Sequence, residues 1–245
     1  MSNPSVSIDP AAFPRQLNIG CGFDKRADFL NVDLNDFHAP DLVSDASRLP
    51  MLPSQYYVHI LANDVLEHIP RAKCLSTLKE WNRLLGVGGT LHIQIPNIVG
   101  ACALISSNDA RDPAYHDSIV ACLFGTQGYT GDYHFNSFTP ESARWWLSRA
   151  GFDVVALSER DTWLLEIDAI KTFHVEPEYW IEDGDDNAFV TAMYEKLLAR
   201  ATDPAGLEYF LGRLSNGCER ETAIAIMRQS NEAEALHAQI NGDRL

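Results

Sequence analysis

The stretch Leu17-Asn18-Ile19-Gly20-Cys21-Gly22, followed by Phe29-Leu30-Asn31-Val32-Asp33, constrains this chain more than any other. The first apolar run stops at a Gly-x-Gly turn and the second at an aspartate, the endings that two neighbouring parallel strands need in order to hold a nucleoside. Glycine lets the backbone come within contact distance of a ligand because no Cβ intervenes. A carboxylate at the end of the next strand suits the two hydroxyls of a ribose. A dinucleotide fingerprint would need Gly-x-Gly-x-x-Gly with an acid about 20 residues further on. Here Lys25 occupies the third glycine position, and Asp33 follows Gly22 after only ten intervening residues. That is too little chain for a helix and a strand, so the ligand is expected to carry no pyrophosphate. Taken alone, the motif reads equally well as a tight turn beside a capped strand.

The 245 residues are enough for one α/β domain plus a small appendage. Acidic residues outnumber basic ones 34 to 19, a formal charge of -15 that repels phosphate backbones and anionic membrane surfaces. No nucleic-acid partner is expected. The five cysteines, Cys21, Cys74, Cys102, Cys122 and Cys218, contain no C-x-x-C pair, so neither a disulfide framework nor a zinc site follows from their spacing. Residues 1–14 show no basic start and no apolar run. No stretch approaches the ~20 apolar residues of a membrane span, so no membrane insertion and a cytoplasmic setting are the expectations.

Residues 1–15 read as a loose leader. Beyond the two strands, Pro40 to Pro50 holds a short apolar pair ending near Asp45, an edge-like third strand, and Pro50 and Pro53 forbid a helix directly afterwards. Tyr56 to Ala62 reads as a buried fourth strand ending in Asn63-Asp64. From Pro70 to Leu85, Cys74, Leu75, Leu78, Trp81 and Leu85 fall at helical spacing, and Gly86, Gly88 and Gly89 end that helix. A fifth strand runs from Thr90 to Ile95 and stops at Pro96-Asn97. Strand, helix, strand in this order implies a parallel sheet, with ligands at the carboxyl ends of the strands. Asp33, Asp45, Asn63 and Asn97 all fall at or just beyond such ends. Residues 98–128 read as two helices over the mouth of the sheet. Thr139 with Pro140 opens a later helix ending at Gly151, and Val154–Leu157 with Trp163–Ile170 suits an antiparallel hairpin at the sheet edge. The acid-rich run 176–186 reads as a linker between a domain over 16–175 and a helical module over 187–245.

In series, these motifs resemble the class I S-adenosylmethionine-dependent methyltransferases over roughly residues 16–173. Leu17 to Gly22 looks like their first motif, Asn31-Val32-Asp33-Leu34 the acidic second, Asp45 to Pro50 the adenine-side segment, and Asn63 to Ile69 the stretch after strand four. Leu84 to Thr90 resembles the turn before strand five, and Phe138-Thr139 through Phe152 the late helix. The resemblance implies a Rossmann-like, mixed seven-stranded α/β sheet and S-adenosylmethionine as cofactor. It also implies site roles: Gly20, Cys21 and Gly22 against the methionine part, Asp33 with Leu34 at the ribose, Asp45 and Ala46 at the adenine, and Asn63 nearest the sulfonium. Asn18 stands where that family commonly has an acid, and the first crossover is short.

The C-terminal residues resemble something else, a small all-helical bacterial module of unassigned function similar to phycobilisome linker domains. Phe189 to Tyr194, Asp203-Pro204-Ala205-Gly206-Leu207 and Ser230-Asn231-Glu232 carry that likeness. The module recurs in surface proteins and in enzymes that build surface glycans, so the resemblance implies O-methylation of a sugar hydroxyl, free or in a polymer. The module itself reads as a scaffold or docking element with its own partner. Methylation of a small metabolite, or cofactor binding without catalysis, are the alternatives. Removing the acceptor's proton asks for a base, and histidine suits neutral pH. His134 and His68 are the candidates, with Asp64 as a further base or half of a metal site with Asp132. Asp132 is the expected orienter of His134, and Asp132, Tyr133 and Asn136 are the expected substrate contacts.

Overall fold

In a computed structural model, the two short motif strands stand at the middle of one sheet. The structure describes residues 14–107, 109–175, 177, 184–233 and 235. Most of the leader, most of the acidic linker and the end of the helical module lie outside the described residues. The chain divides into two compact units, Met1–Pro177 and Glu178–Leu245.

In the first unit, β1 (Gln16–Ile19) pairs in parallel with β2 (Phe29–Asp33) on one side and with β4 (Tyr57–Asn63) on the other. Leu17, Ile19, Leu30 and Val32 are buried because a central parallel strand is covered on both faces. The short β3 (Leu42–Val43) pairs outside β2, and β5 (Leu85–Pro96) pairs in parallel with β4. β6 (Phe152–Arg160) and β7 (Leu164–Lys171) form the expected hairpin, and β7 lies antiparallel against β5. The order is β3-β2-β1-β4-β5-β7-β6, a mixed seven-stranded sheet with the class I methyltransferase topology. The chain reverses its direction of travel across the sheet between β1 and β4, where α/β sheets open a crevice for ligands.

Only turns connect β1 to β2, as the short spacing requires. The glycines of residues 86–89 lie inside β5, where pairing slips from Tyr57↔Leu85 to His59↔Thr90. That irregularity accommodates residues expected to sit before the strand.

The helix α1 (Cys74–Leu84) packs on the sheet and holds the segment after β3 in place. Fully buried Glu80 accepts hydrogen bonds from the Leu49 amide (2.8 Å) and from Arg83 Nε (2.7 Å) and Nη2 (2.8 Å). Arg83 in turn donates to the carbonyls of Leu49 and Leu52, both at 3.0 Å. Trp81 Nε1 donates to the Ala46 carbonyl at 3.0 Å. A charged pair out of water holds only if its remaining hydrogen-bonding sites are filled, and here backbone of residues 49–52 fills them.

Asn97 is fully buried and structural. Its side chain caps α2 (Ile98–Ile105) by accepting from the Val99 amide. Its amide group donates to Glu159 and to the Thr162 carbonyl at the tip of the β6–β7 hairpin. Gly100 in α2 lies so close to that tip that a Cβ there would stand 1.7 Å from the Thr162 carbonyl oxygen. The helix α3 (Pro113–Phe124) follows, and α4 (Pro140–Arg149) begins at Thr139, whose hydroxyl accepts from the Ser142 amide.

In the second unit, α5 (Asp186–Leu198), α6 (Pro204–Ser215) and α7 (Arg220–Arg228) bury Phe189, Met193, Phe210, Ile224 and Met227 together. Arg200 bridges Glu232 and Asp203, the residue that caps α6. No helix among the described residues is long and apolar enough to cross a membrane.

Candidate functional site

The carboxyl ends of β1, β2 and β4 open into two adjoining pockets of about 640 and 290 Å³ that share Gly20, Asp64, His68 and Tyr129. The smaller is lined by Gly22, Asp33, Leu34, Asp45 and Ala46. The larger is lined by Asn18, Cys21, Asn63, Asp132 and His134 and also by Glu67 and Arg160. Of the residues singled out from sequence at the strand ends and in the later loop, Asn97, Tyr133 and Asn136 line neither pocket.

The turn after β1 is built for close approach. Gly20 has φ +64, and a Cβ there would sit 2.4 Å from Val65 Cγ2. Gly20→Ala is expected to destabilise the protein by roughly 2–5 kcal/mol, about 1–2 from left-handed backbone and ~1–3 from overpacking, as measured by denaturant unfolding. Gly22 has φ +48 and open space where a Cβ would point. The Gly22 amide donates to Asp33 Oδ2 (2.8 Å), while Asp33 Oδ1 accepts from the Asn35 amide (2.8 Å) and faces His38 Nδ1 (2.9 Å). Three of the roughly four acceptor sites of the carboxylate are thereby used, leaving one on Oδ2. Cys21 contributes only backbone chemistry, since burial, and then Asp33, push its thiol up to about 11.

Asn18 braces the turn, donating to the Asp24 carbonyl (2.8 Å) and to Asn31 Oδ1 (3.1 Å). Asp45 Oδ1 accepts from the Ser47 amide at 2.8 Å. Asn63 Oδ1, at the end of β4, is buried with no hydrogen-bond partner in the protein. An acceptor left bare in this way is open to a donor from a ligand or from water. Asp64 follows with φ 54, both its oxygens 3.0 Å from Gln94 Nε2.

Within the larger pocket, His68 and His134 meet edge to face, with ring centroids 4.7 Å apart. His68 Nδ1 bonds the Tyr133 carbonyl and His134 Nδ1 the Cys122 carbonyl, each at 3.1 Å. The orienter of His134 is therefore the end of α3, not Asp132, whose carboxylate binds Thr126 Oγ1 and the Gly128 amide. Burial, and then neighbouring His68, hold the His134 imidazole below its ordinary range. Asn136 also serves the frame, its amide donating to the Ile69 carbonyl and to Cys74 Sγ. Tyr133 contributes its carbonyl, and its side chain is half exposed.

Glu67 was not singled out from sequence, yet it is 1% exposed and lines the larger pocket, and its Oε2 has no partner. Burial, and then the Asp64 charge, drive its carboxyl well above the usual range. The signal available was an acid between Leu66 and Ile69, both of which have to be inside. Tyr129, Gln94 and Arg160 were missed as well. Arg160 reaches the pocket from β6 and donates to Gln94 Oε1 and Glu166.

The donor set fits an adenosyl cation. Asp24, Asp64 and Asp132 line the larger pocket with one Lys or Arg, Arg160, and Asp33, Asp45 and Asp64 line the smaller with one, Lys73. Such a field favours a positively charged ligand over a pyrophosphate.

No curated protein matches the chain in sequence. Residues 171–237 match the family described as a domain of unknown function, DUF4214. Among solved structures, the chain is similar to a SAM-dependent methyltransferase from Methanosarcina mazei, with 17% identity, a TM-score of 0.48 and coverage of 71% of this chain and 99% of that one. It is similar to a protein described as a possible exported protein from Bordetella parapertussis (15% identity, TM-score 0.47, 67% and 66% of the two chains). A third is a SAM-dependent methyltransferase from Archaeoglobus fulgidus (19% identity, TM-score 0.45, 65% and 86%). By its own strand order, the first unit has the class I methyltransferase fold, and the DUF4214 match runs from the last residue of β7 through α5, α6 and α7 of the second.

Proposed function

We propose that the protein is an S-adenosylmethionine-dependent methyltransferase acting on a hydroxyl group. The observation that carries this reading is the convergence of the Gly20–Gly22 turn, Asp33 and Asp45 on one crevice, with the bare Asn63 Oδ1 beside it. S-adenosylmethionine, when bound, supplies a methyl group on a positively charged sulfur. The open side of Gly22 admits the ligand's backbone-like portion, the free acceptor site of Asp33 takes a ribose hydroxyl, and Asp45 with Ala46 forms the adenine side. Asn63 stands nearest the sulfur, where the partial negative charge of its bare Oδ1 suits a positively charged group.

The acceptor's proton goes to His134 Nε2. Because the Cys122 carbonyl can only accept, Nδ1 carries the ring proton and leaves the Nε2 lone pair toward the cleft. Its lowered pKa keeps the ring neutral, hence basic, at neutral pH. We propose a sugar hydroxyl of a bacterial surface glycan as the acceptor, a choice that rests on the company of the C-terminal module's resemblance. The second unit is read as a docking element for that assembly.

His134→Ala is expected to bind the cofactor with near wild-type affinity by calorimetry while turnover on an accepted sugar falls about 100-fold or more. Wild-type turnover would remove His134 from the reaction. Normal cofactor binding without methyl transfer to any sugar or metabolite in a panel would leave a binding protein without catalysis.

A further inference from the structure

Glu67, His68 and His134 are the one group of at least three His, Cys, Asp or Glu residues, among the described residues, whose ligand atoms all lie within 4.8 Å of one another. Both imidazoles are already arranged as metal ligands are. Each gives its Nδ1 proton to a backbone carbonyl, Tyr133 for His68 and Cys122 for His134, both at 3.1 Å. The Nε2 lone pairs are thereby fixed in place, the arrangement by which a protein sets the tautomer and direction of a coordinating histidine. The third member supplies the charge. Glu67 is 1% exposed with Oε2 unpartnered, and a carboxylate buried without a partner is costly unless a cation meets it. All three line the larger pocket.

We propose that Glu67, His68 and His134 form a binding site for a divalent transition metal, zinc first among them, with a fourth position open to the cleft. Two imidazoles and one carboxylate suit zinc and its neighbours, whereas magnesium and calcium ask for six or more ligands, mostly oxygens. Around a tetrahedral ion with ~2.0 Å bonds, neighbouring ligand atoms stand about 3.3 Å apart, so binding draws the triad inward from a spread of up to 4.8 Å. The inference rests on the methyl-transfer reading in one respect, that the open position takes the acceptor's hydroxyl oxygen. His134 is then a ligand, and the acceptor's proton passes to the Asp64 carboxylate in the same cleft as the methyl group leaves sulfur for oxygen.

Activity does not decide between the two roles of His134, because its loss slows turnover in either. Metal binding does. Full-length protein is stripped with a chelator, dialysed and titrated with zinc against a chromophoric competitor. One site per chain is expected, weakened by at least about 10-fold in each of Glu67→Gln, His68→Ala and His134→Gln, with circular dichroism confirming that each variant folds. Cobalt in place of zinc is expected to give visible absorption bands that are lost in the same variants. Absence of stoichiometric binding in the wild type, or unchanged affinity in folded His134→Gln, overturns the proposal. Calorimetry of the stripped protein with S-adenosylmethionine tests the other reading separately. Zinc binding without cofactor binding sinks the methyltransferase assignment and keeps the metal site, and cofactor binding without zinc does the reverse.

Discussion

Glu80→Ala is expected to lower unfolding stability by about 3–5 kcal/mol, a large share of the roughly 5–15 kcal/mol of a typical domain. The loss has two parts. Arg83 loses the buried carboxylate that Nε and Nη2 donate to, and the Leu49 amide loses its acceptor. Because Arg83 and Trp81 anchor the backbone of residues 46–52, the Asp45–Ala46 side of the crevice loosens as well. The expected signature in urea is a lower midpoint at unchanged slope, together with weaker cofactor binding. Glu80→Gln keeps the shape and one acceptor and is expected to lose less than half as much. Equal stability of Glu80→Ala and wild type would show that the charge pair does not support α1 and the crevice.

The second large effect is at Asp33. Asp33→Ala is expected to weaken S-adenosylmethionine binding by about 100-fold, the equivalent of one or two hydrogen bonds to a charged acceptor. Part of this is direct, through the ribose. The rest is indirect, since the Gly22 amide, the Asn35 amide and His38 all lose the carboxylate that fixes them. Calorimetry separates the parts when set beside His38→Ala, which keeps the carboxylate and removes one of the groups it fixes. An Asp33→Ala protein that binds the cofactor at wild-type affinity would contradict the placement of the ribose.

Much of this architecture was legible before any coordinates. The strand endings at Gly20, Asp33 and Asn63, the cap at Thr139 and the hairpin at the sheet edge follow from local rules about glycine, capping and apolar runs, and each appears where those rules put it. The histidine pair was less legible, for a physical reason. His68 and His134 are 66 positions apart in sequence, and whether either faces the other depends on how α3 and the loop after it fold over β4. Sequence spacing likewise gave no sign that the Asn136 amide would be consumed by the Ile69 carbonyl, or that Cys122 rather than Asp132 would hold the His134 ring. Glu67 escaped notice because an acid in a turn is ordinarily solvated, and only the packing of its neighbours reveals that this one is inside.

The contact at Gly100 has a mechanical corollary. With backbone against backbone at the hairpin tip and Asn97 tying helix to turn, the wall that carries Arg160 and Trp163 is clamped and has little freedom to retreat before a bulkier guest. Any relatives with roomier clefts would have gained the space across the opening, in the glycine-bearing arc 125–131, where lengthening or shortening the chain disturbs no sheet pairing. Diversity in what such clefts accept would thus collect on one rim while the opposite rim stays fixed.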